Sequence, residues 1–370
     1  MFSQARTTGE KKRLHPIRGG LAALGLVGAV SAACITGAVP ASAAVKAPTI
    51  HNLKVNRHGV PNLHGVTFPL GKGAGAPHVG DAVTYTAQQL LGSWGAKVGS
   101  LTLGEGPAVV SGVVGGHLFA TGGPFTAELN GGLKVFGPSQ PGEDYEFIVA
   151  KGIKNFSQLK GKVVGVSAPG VGDAVLMAAL EHKYHLTGQV TIEYTGSATN
   201  SVSAFIGGRL SGFWTNSTSA IALTQQHVYY KPMISARALL PAEADSYEAA
   251  TSSWLKSHLY LAEAYDLAWL YAARIFNTNE ARWLKYAADY TDHSVPVSQM
   301  KLAYAAYKKE QLFPDNASAF NPANVKANYK IAEKTGTLDS KYHNKPESAY
   351  ATFKAWQAAV KIFRTHPKSY

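Results

Sequence analysis

The sequence predicts an α/β protein of two lobes, each built on a doubly wound, mainly parallel sheet, with a helical C-terminal extension. Three observations predict it. Residues 76–83 read Ala-Pro-His-Val-Gly-Asp-Ala-Val and residues 168–175 read Ala-Pro-Gly-Val-Gly-Asp-Ala-Val, seven matches in eight at an offset of 92. Gly115-Gly116-His117-Leu118 and Gly207-Gly208-Arg209-Leu210 repeat at that same offset, so each Gly-Gly pair follows its Ala-Pro by 39 residues. Two shared features at one offset mark an internal repeat. Each copy also alternates β-branched runs with helical stretches, the order that parallel strands with right-handed crossovers require.

In the first copy, a strand over Gly65–Pro69 leads through a Gly/Pro turn into a helix over Gly80–Trp94. A strand (Val98–Leu103), a helix (Pro107–Gly115) and a third strand (Leu118–Gly123) follow. The second copy repeats this with strand Val163–Ser167, helix Gly172–Tyr184, strand Val190–Tyr194, helix Asn200–Gly207 and strand Leu210–Asn216. From about Ala250 the chain turns helical. Trp254, Leu255, Leu259, Leu261, Tyr265, Leu267 and Leu270 recur at helical spacing, as do Trp283, Leu284, Tyr286, Ala287 and Tyr290. Such a stripe reads as core or lobe-packing surface. Pro296, Pro314 and Pro322 punctuate the region. A chain of 370 residues exceeds the usual single core, in keeping with two lobes.

The N-terminus has a different character. Lys11, Lys12, Arg13 and Arg18 precede an apolar run from Leu21 to about Val39, closed by Pro40-Ala41-Ser42-Ala43-Ala44. A basic start, an apolar stretch and an A-x-A site make an export signal over residues 1–43. Residues 44–61 then read as a linker. Cys34, the one cysteine, lies inside this signal, where Ala32-Ala33-Cys34 resembles a bacterial lipobox with Ser31 in the place of its usual Leu. Two fates stay open: cleavage after Ala43, or lipidation at Cys34. Cleavage leaves no cysteine, which excludes disulfides and thiolate metal sites. Later apolar stretches are too short to span a bilayer.

The net charge is +12; cleavage removes five basic residues and one acid and leaves +8. These charges are scattered, without the interleaved basic and aromatic pattern of a nucleic-acid groove, and export argues further against nucleic acid. Among the thirteen histidines, His182 and His185 have helical spacing but no third ligand beside them. Neither a metal nor a cofactor is expected.

The glycine-rich turn after Val163-Val164-Gly165-Val166 fails three enzyme patterns. Gly165 and Gly170 have phosphate-loop spacing, but Val171 replaces the lysine. Val175 stands where a dinucleotide fingerprint needs its third glycine, and Pro169 ends a would-be nucleophile elbow around Ser167. No catalytic residue is therefore assigned. In open α/β sheets ligands sit beyond the carboxyl ends of the strands, so facing lobes would aim both sets of loops into one cleft. The candidate ligand residues follow from that placement. In lobe one they are Phe68, Lys72, Asp81, Thr121, Gly122, Gly123 and Phe125. In lobe two they are Ser167, Gly170, Val171, Gly172, Asp173, Thr195, Ser197, Trp214, Thr215 and Asn216. Glycines let backbone approach a solute, hydroxyls and amides offer hydrogen bonds, and Phe125 or Trp214 offers a stacking face. Asp81 and Asp173 admit two readings. Either they complement their helix dipoles, or they face the cleft, where they would repel an anion and hold an amine or hydroxyls.

Asp144-Tyr145-Glu146-Phe147-Ile148-Val149, then Ile153-Lys154-Asn155-Phe156 and Leu159-Lys160-Gly161-Lys162-Val163-Val164-Gly165-Val166, resembles the ABC-transporter solute-binding proteins of the nitrate/sulfonate/taurine/thiamine-precursor group. Ala250-Thr251-Ser252-Ser253-Trp254-Leu255 resembles a later stretch of the same family. The resemblance implies a type II periplasmic-binding-protein fold that closes on a small solute and delivers it to a membrane permease, as a monomer. It implies lobe one over 62–145 and 238–370, and lobe two over 146–237. Val171-Gly172-Asp173 departs from the family's usual Ser or Thr after Pro-Gly, so no solute is carried over. Gly71-Lys72-Gly73-Ala74-Gly75 faintly echoes receptors of TRAP-type transporters on the same fold. An exported enzyme on this fold and a sensory solute receptor also stay open.

Overall fold

The computed structural model describes residues 53–368 except 73–77, 103–106, 117–118, 124, 226–230, 242–243 and 245. The described strands are β1 (Thr67–Lys72), β2 (Lys97–Thr102), β3 (Phe119–Gly123), β4 (Lys134–Gln140), β5 (Tyr145–Val149), β6 (Val163–Val166), β7 (Thr191–Tyr194), β8 (Gly212–Asn216), β9 (Lys231–Ser235) and β10 (Ser246–Ala250). They form two five-stranded sheets, β2-β1-β3-β10-β4 and β7-β6-β8-β5-β9. In each sheet the three repeat strands run parallel. The fourth strand, β10 or β5, is antiparallel to both neighbours. That reversed strand is the one that has just crossed from the other sheet, β4 leading into β5 and β9 into β10. The crossing explains why the sheets are mixed rather than wholly parallel.

Helices cover the sheets in the order the repeat predicts. In the first copy come α1 (Ala82–Ser93), α2 (Pro107–Gly116) and the short α3 (Phe125–Asn130). In the second come α4 (Gly172–Lys183), α5 (Ala198–Ile206), α6 (Ser217–Gln225) and α7 (Ala236–Leu239). The extension carries α8 (Ser252–Ser257), α9 (Leu259–Thr278), α10 (Glu280–Tyr290), α11 (Val297–Glu310), α12 (Pro322–Thr335), α13 (Glu347–Tyr350) and α14 (Lys354–Thr365). Helix α9 is buried on almost every side, because its Leu, Ala, Trp and Tyr residues leave no polar face, and it lies among α1, α10, α14 and β4. Helix α12 has clear local signals: Asn321 accepts from Asn324 N, Pro322 opens the first turn, and Gly336 closes it in the left-handed region.

The extension reaches across both sheets. Helix α10 packs on α1, whereas α11 packs on α6 and α12 on α4. Trp254, Tyr265 and Trp283 are core residues of the part built on sheet one, as the aromatic stripe predicts, and Trp269 joins them. No described helix is long and apolar enough to cross a membrane.

Candidate functional site

The two Gly-Asp turns start alike and end differently. In the second copy, β6 stops at Val166 and Gly170 takes φ +76°, a left-handed conformation that glycine adopts without the Cβ penalty. Val171 is the extended residue before α4. Asp173 is buried, and its Oδ2 accepts from both the backbone N and the Oγ of Ser167, each at 2.7 Å. The carboxylate thus ties the start of the helix back to the end of the strand. The Ser167 carbonyl also accepts from Gly196 N at 2.9 Å, which brings in the turn before α5. There Thr195 Oγ1 bonds Ser201 Oγ at 2.6 Å, and Ser197 Oγ caps the helix by accepting from Asn200 N. Ser167, Asp173, Thr195 and Ser197 therefore assemble, with these polar groups bonded to one another.

In the first copy, Asp81 is 40% exposed at its side chain and accepts from the Tyr290 hydroxyl at 3.0 Å. Beside it stands His78, the single mismatch of the octapeptide, at the place Gly170 holds in the second copy. His78 is 11% exposed at its side chain. Its Nε2 lies 3.1 Å from Asp144 Oδ2, and its Nδ1 lies 3.7 Å from Asp81 Oδ1. Gly80 makes room for that ring, because a Cβ there would collide with the imidazole and with Gln140. Asp144 lies in the crossing from β4 to β5 and also accepts from Gln140 Nε2 at 3.3 Å. Its backbone carbonyl accepts from Ser217 Oγ at 2.9 Å, at the start of α6. Burial opposes the charge on His78, but Asp144 and Asp81 outweigh it and hold the imidazole well above its ordinary pKa. Burial likewise opposes the Asp144 charge, yet His78 and the hydrogen bonds draw its carboxyl below the usual range.

A cavity of about 620 Å³ opens between the helices of sheet one and the α4 side of sheet two. Val110 and Ala127 line one wall, Met177, Ile192 and Tyr194 the other, with Gly170 and Pro169 at the turn. Of the residues the sequence singles out, Gly170 lines this cavity. Phe68 is fully buried in the core of sheet one, and Phe125 packs at 5.4 Å on the Tyr247 ring. Trp214 is buried, 5.3 Å from the Phe147 ring, beside an equally buried Thr215. Asn216 Oδ1 accepts from Ser219 N at the start of α6. Lys72 ends β1, half-buried. Thr121, Gly122 and Gly123 end β3, with side chains outside the described part.

Sequence reasoning passed over His78, Asp144 and Glu181. The signal for His78 was the one position at which the octapeptides differ. A further group it passed over is Glu128, Glu248 and Asp266, buried in the part built on sheet one. Burial, then the Glu248 charge, pushes the carboxyls of Glu128 and Asp266 well up. Among the described residues no group of three His, Cys, Asp or Glu is placed to hold a metal ion.

This is the two-lobed α/β fold of the type II periplasmic binding proteins. No protein-family model matches the sequence, and no curated protein matches it. Solved structures do match. The ligand-binding component of an ABC-type import system from Staphylococcus aureus, with zinc bound, has a TM-score of 0.63 at 12% identity, over 80% of this chain and 99% of that one. The alkanesulfonate-binding protein SsuA from Xanthomonas axonopodis pv. citri, bound to MOPS, has a TM-score of 0.58 at 14% identity, over 75% of this chain and 96% of that one. A mutant of DSZB in complex with biphenyl-2-sulfinic acid shares the fold at a TM-score of 0.53 and 12% identity, over 80% of this chain and 99% of that one. DSZB is described as a desulfurization enzyme. At these identities the likeness is one of fold.

Proposed function

We propose that the chain is an extracytoplasmic solute-binding protein. It takes one class of small molecule into the cleft between its lobes and hands it to the membrane permease of an ABC-type importer, without turnover. The observation that carries this reading is the cavity between the helices of sheet one and the α4 side of sheet two, two sheets joined through the β4–β5 and β9–β10 crossings. Lobes joined in this way can close on a solute by bending at the crossings. The S. aureus import component and the Xanthomonas sulfonate-binding protein, which have this fold, support the reading. Lobe one would comprise 62–145 and 238–370, and lobe two 146–237. The export signal over 1–43 would deliver a monomer to the periplasm or cell surface, free after cleavage at Ala43 or tethered through Cys34.

Native mass spectrometry of freshly purified protein, followed by release of its solute, tests the proposal. One unaltered small molecule per chain is expected, and its readdition at a hundredfold excess over Kd should stabilise the fold by about 2.7 kcal/mol. A chemically altered solute would refute it. A deletion strain should lose uptake of that solute; retained uptake would favour a sensory receptor.

A second reading has its own support. His78 is an imidazole that two carboxylates hold in its protonated form, the charge state a general acid requires, and DSZB puts an enzyme on this fold. The same mass balance, repeated with His78→Gly, separates the two readings, since turnover abolished by that change would favour the enzyme.

A further inference from the structure

We infer that the cleft is built for an organic cation, an amine or quaternary ammonium group on an apolar body, with Glu181 as its counter-charge and Tyr194 as its aromatic wall. The inference rests on the solute-binding reading and names the class of solute.

Helix α4 presents Ala174, Met177, Ala178 and Glu181 to the cavity. These positions stand at i, i+3, i+4 and i+7, so they form one stripe: three apolar side chains and then a carboxylate. On the same wall, β7 contributes Ile192 and Tyr194. Tyr194 is 58% exposed, whereas most large apolar side chains of the described residues are buried. An open aromatic face attracts a cation through the ring quadrupole and packs against an apolar body.

The charges around the cavity have one sign. Among the described lining residues there is no Lys, Arg or His, and the ionisable carboxylates are Glu181 and Asp339. Asp339 already has Lys341 at 3.5 Å, with both side chains more than half exposed. Glu181 forms no salt bridge among the described residues, and burial pushes its carboxyl up, a cost that a bound cation would relieve. The feature best suited to an anion is already in use. A helix N-terminus beside a glycine turn is a common anion site, but at α4 Asp173 occupies the turn with its own carboxylate, held by Ser167. An anionic solute at this turn would meet the Asp173 carboxylate, and one along the α4 stripe would meet Glu181. A cation would meet none of its own sign among the described lining residues. The volume, about 620 Å³, suits a solute of ordinary metabolite size.

Titration calorimetry on the intact protein with three probes that share one aromatic body tests this: benzyltrimethylammonium, benzyl alcohol and benzenesulfonate. The ammonium should bind tightest and the sulfonate weakest. Glu181→Gln should weaken ammonium binding at least tenfold and benzyl alcohol binding less than twofold, while Tyr194→Ala weakens both. Glu181 is partly exposed, so the unliganded Tm of the Gln variant should match that of the parent and separates a lost charge from a lost fold. The inference is overturned if benzenesulfonate binds as tightly as the ammonium, if Glu181→Gln leaves ammonium affinity within twofold, or if none of the probes binds. Capture of the sulfonate with lobe closure in small-angle scattering would overturn the cation and keep the solute-binding reading. Chemical conversion of a bound solute would overturn that reading itself.

Discussion

Replacing Asp144 by asparagine should destabilise the protein by about 3–5 kcal/mol, the cost of leaving one member of a buried ion pair without its partner. The figure follows from burial. Asp144 is 1% exposed and His78 11%, and the two meet at 3.1 Å. Once the carboxylate is gone, the imidazolium keeps only Asp81, at 3.7 Å and 40% exposed, which is too well solvated to compensate. Urea unfolding across a pH series is the assay. His78 has a raised pKa in the fold, so its contribution is full below the unfolded value near 6.5 and is lost as pH rises through the raised one. Asp144 has a lowered pKa, so its contribution is present above the unfolded value near 3.9 and is lost as pH falls through the lowered one. The deficit of the variant should therefore be largest between pH of about 4 and 6.5 and should shrink in strong acid and in alkali. A His78→Gly, Asp144→Asn double variant should be more stable than the sum of the single changes implies. A deficit below about 1 kcal/mol, or strict additivity, would refute the pairing.

Four further outcomes follow from the same geometry. Phe68→Ala empties a fully buried site in sheet one and should cost about 3–5 kcal/mol in denaturant unfolding, so any binding it loses tracks lost stability. Ser167→Ala removes the hydroxyl bond to a buried carboxylate and should cost about 1.5–3 kcal/mol by the same measurement. Gly170→Ala forces a side chain into φ +76° and should cost about 1–2 kcal/mol; an unchanged midpoint would show that the turn relaxes. Glu128 has a raised pKa, so its protonated form favours the fold in acid and this contribution is lost as pH rises through that value. Glu128→Gln should accordingly exceed the parent in Tm at alkaline pH, and the gap should close toward pH of about 4.

Elements were more legible than contacts. The offset of 92 located the repeated strands and helices closely, as with α4, expected over Gly172–Tyr184 and found over Gly172–Lys183. Periodicity also marked the extension, because α9 is apolar almost throughout. The site was harder to read, for physical reasons. Trp214 lies in a strand buried on both faces, where alternation does not separate cleft from core, and Phe68 shares the buried face of β1 with Leu70. Asp173 turns back to a serine six residues earlier, and spacing alone does not reveal that preference. The partner of His78 lies 66 residues away, beyond any local pattern. Glu181 is visible in the sequence as the end of a helical stripe, but its meaning depends on the other residues that line the cavity, Tyr194 above all.

What the purified protein carries decides between capture and turnover. Native mass spectrometry, followed by exact mass of the released molecule, reads it. A solute-binding role requires one small molecule per chain, recovered unchanged and rebound on readdition. A solute that returns chemically altered, or a protein that carries and rebinds none, would contradict that role.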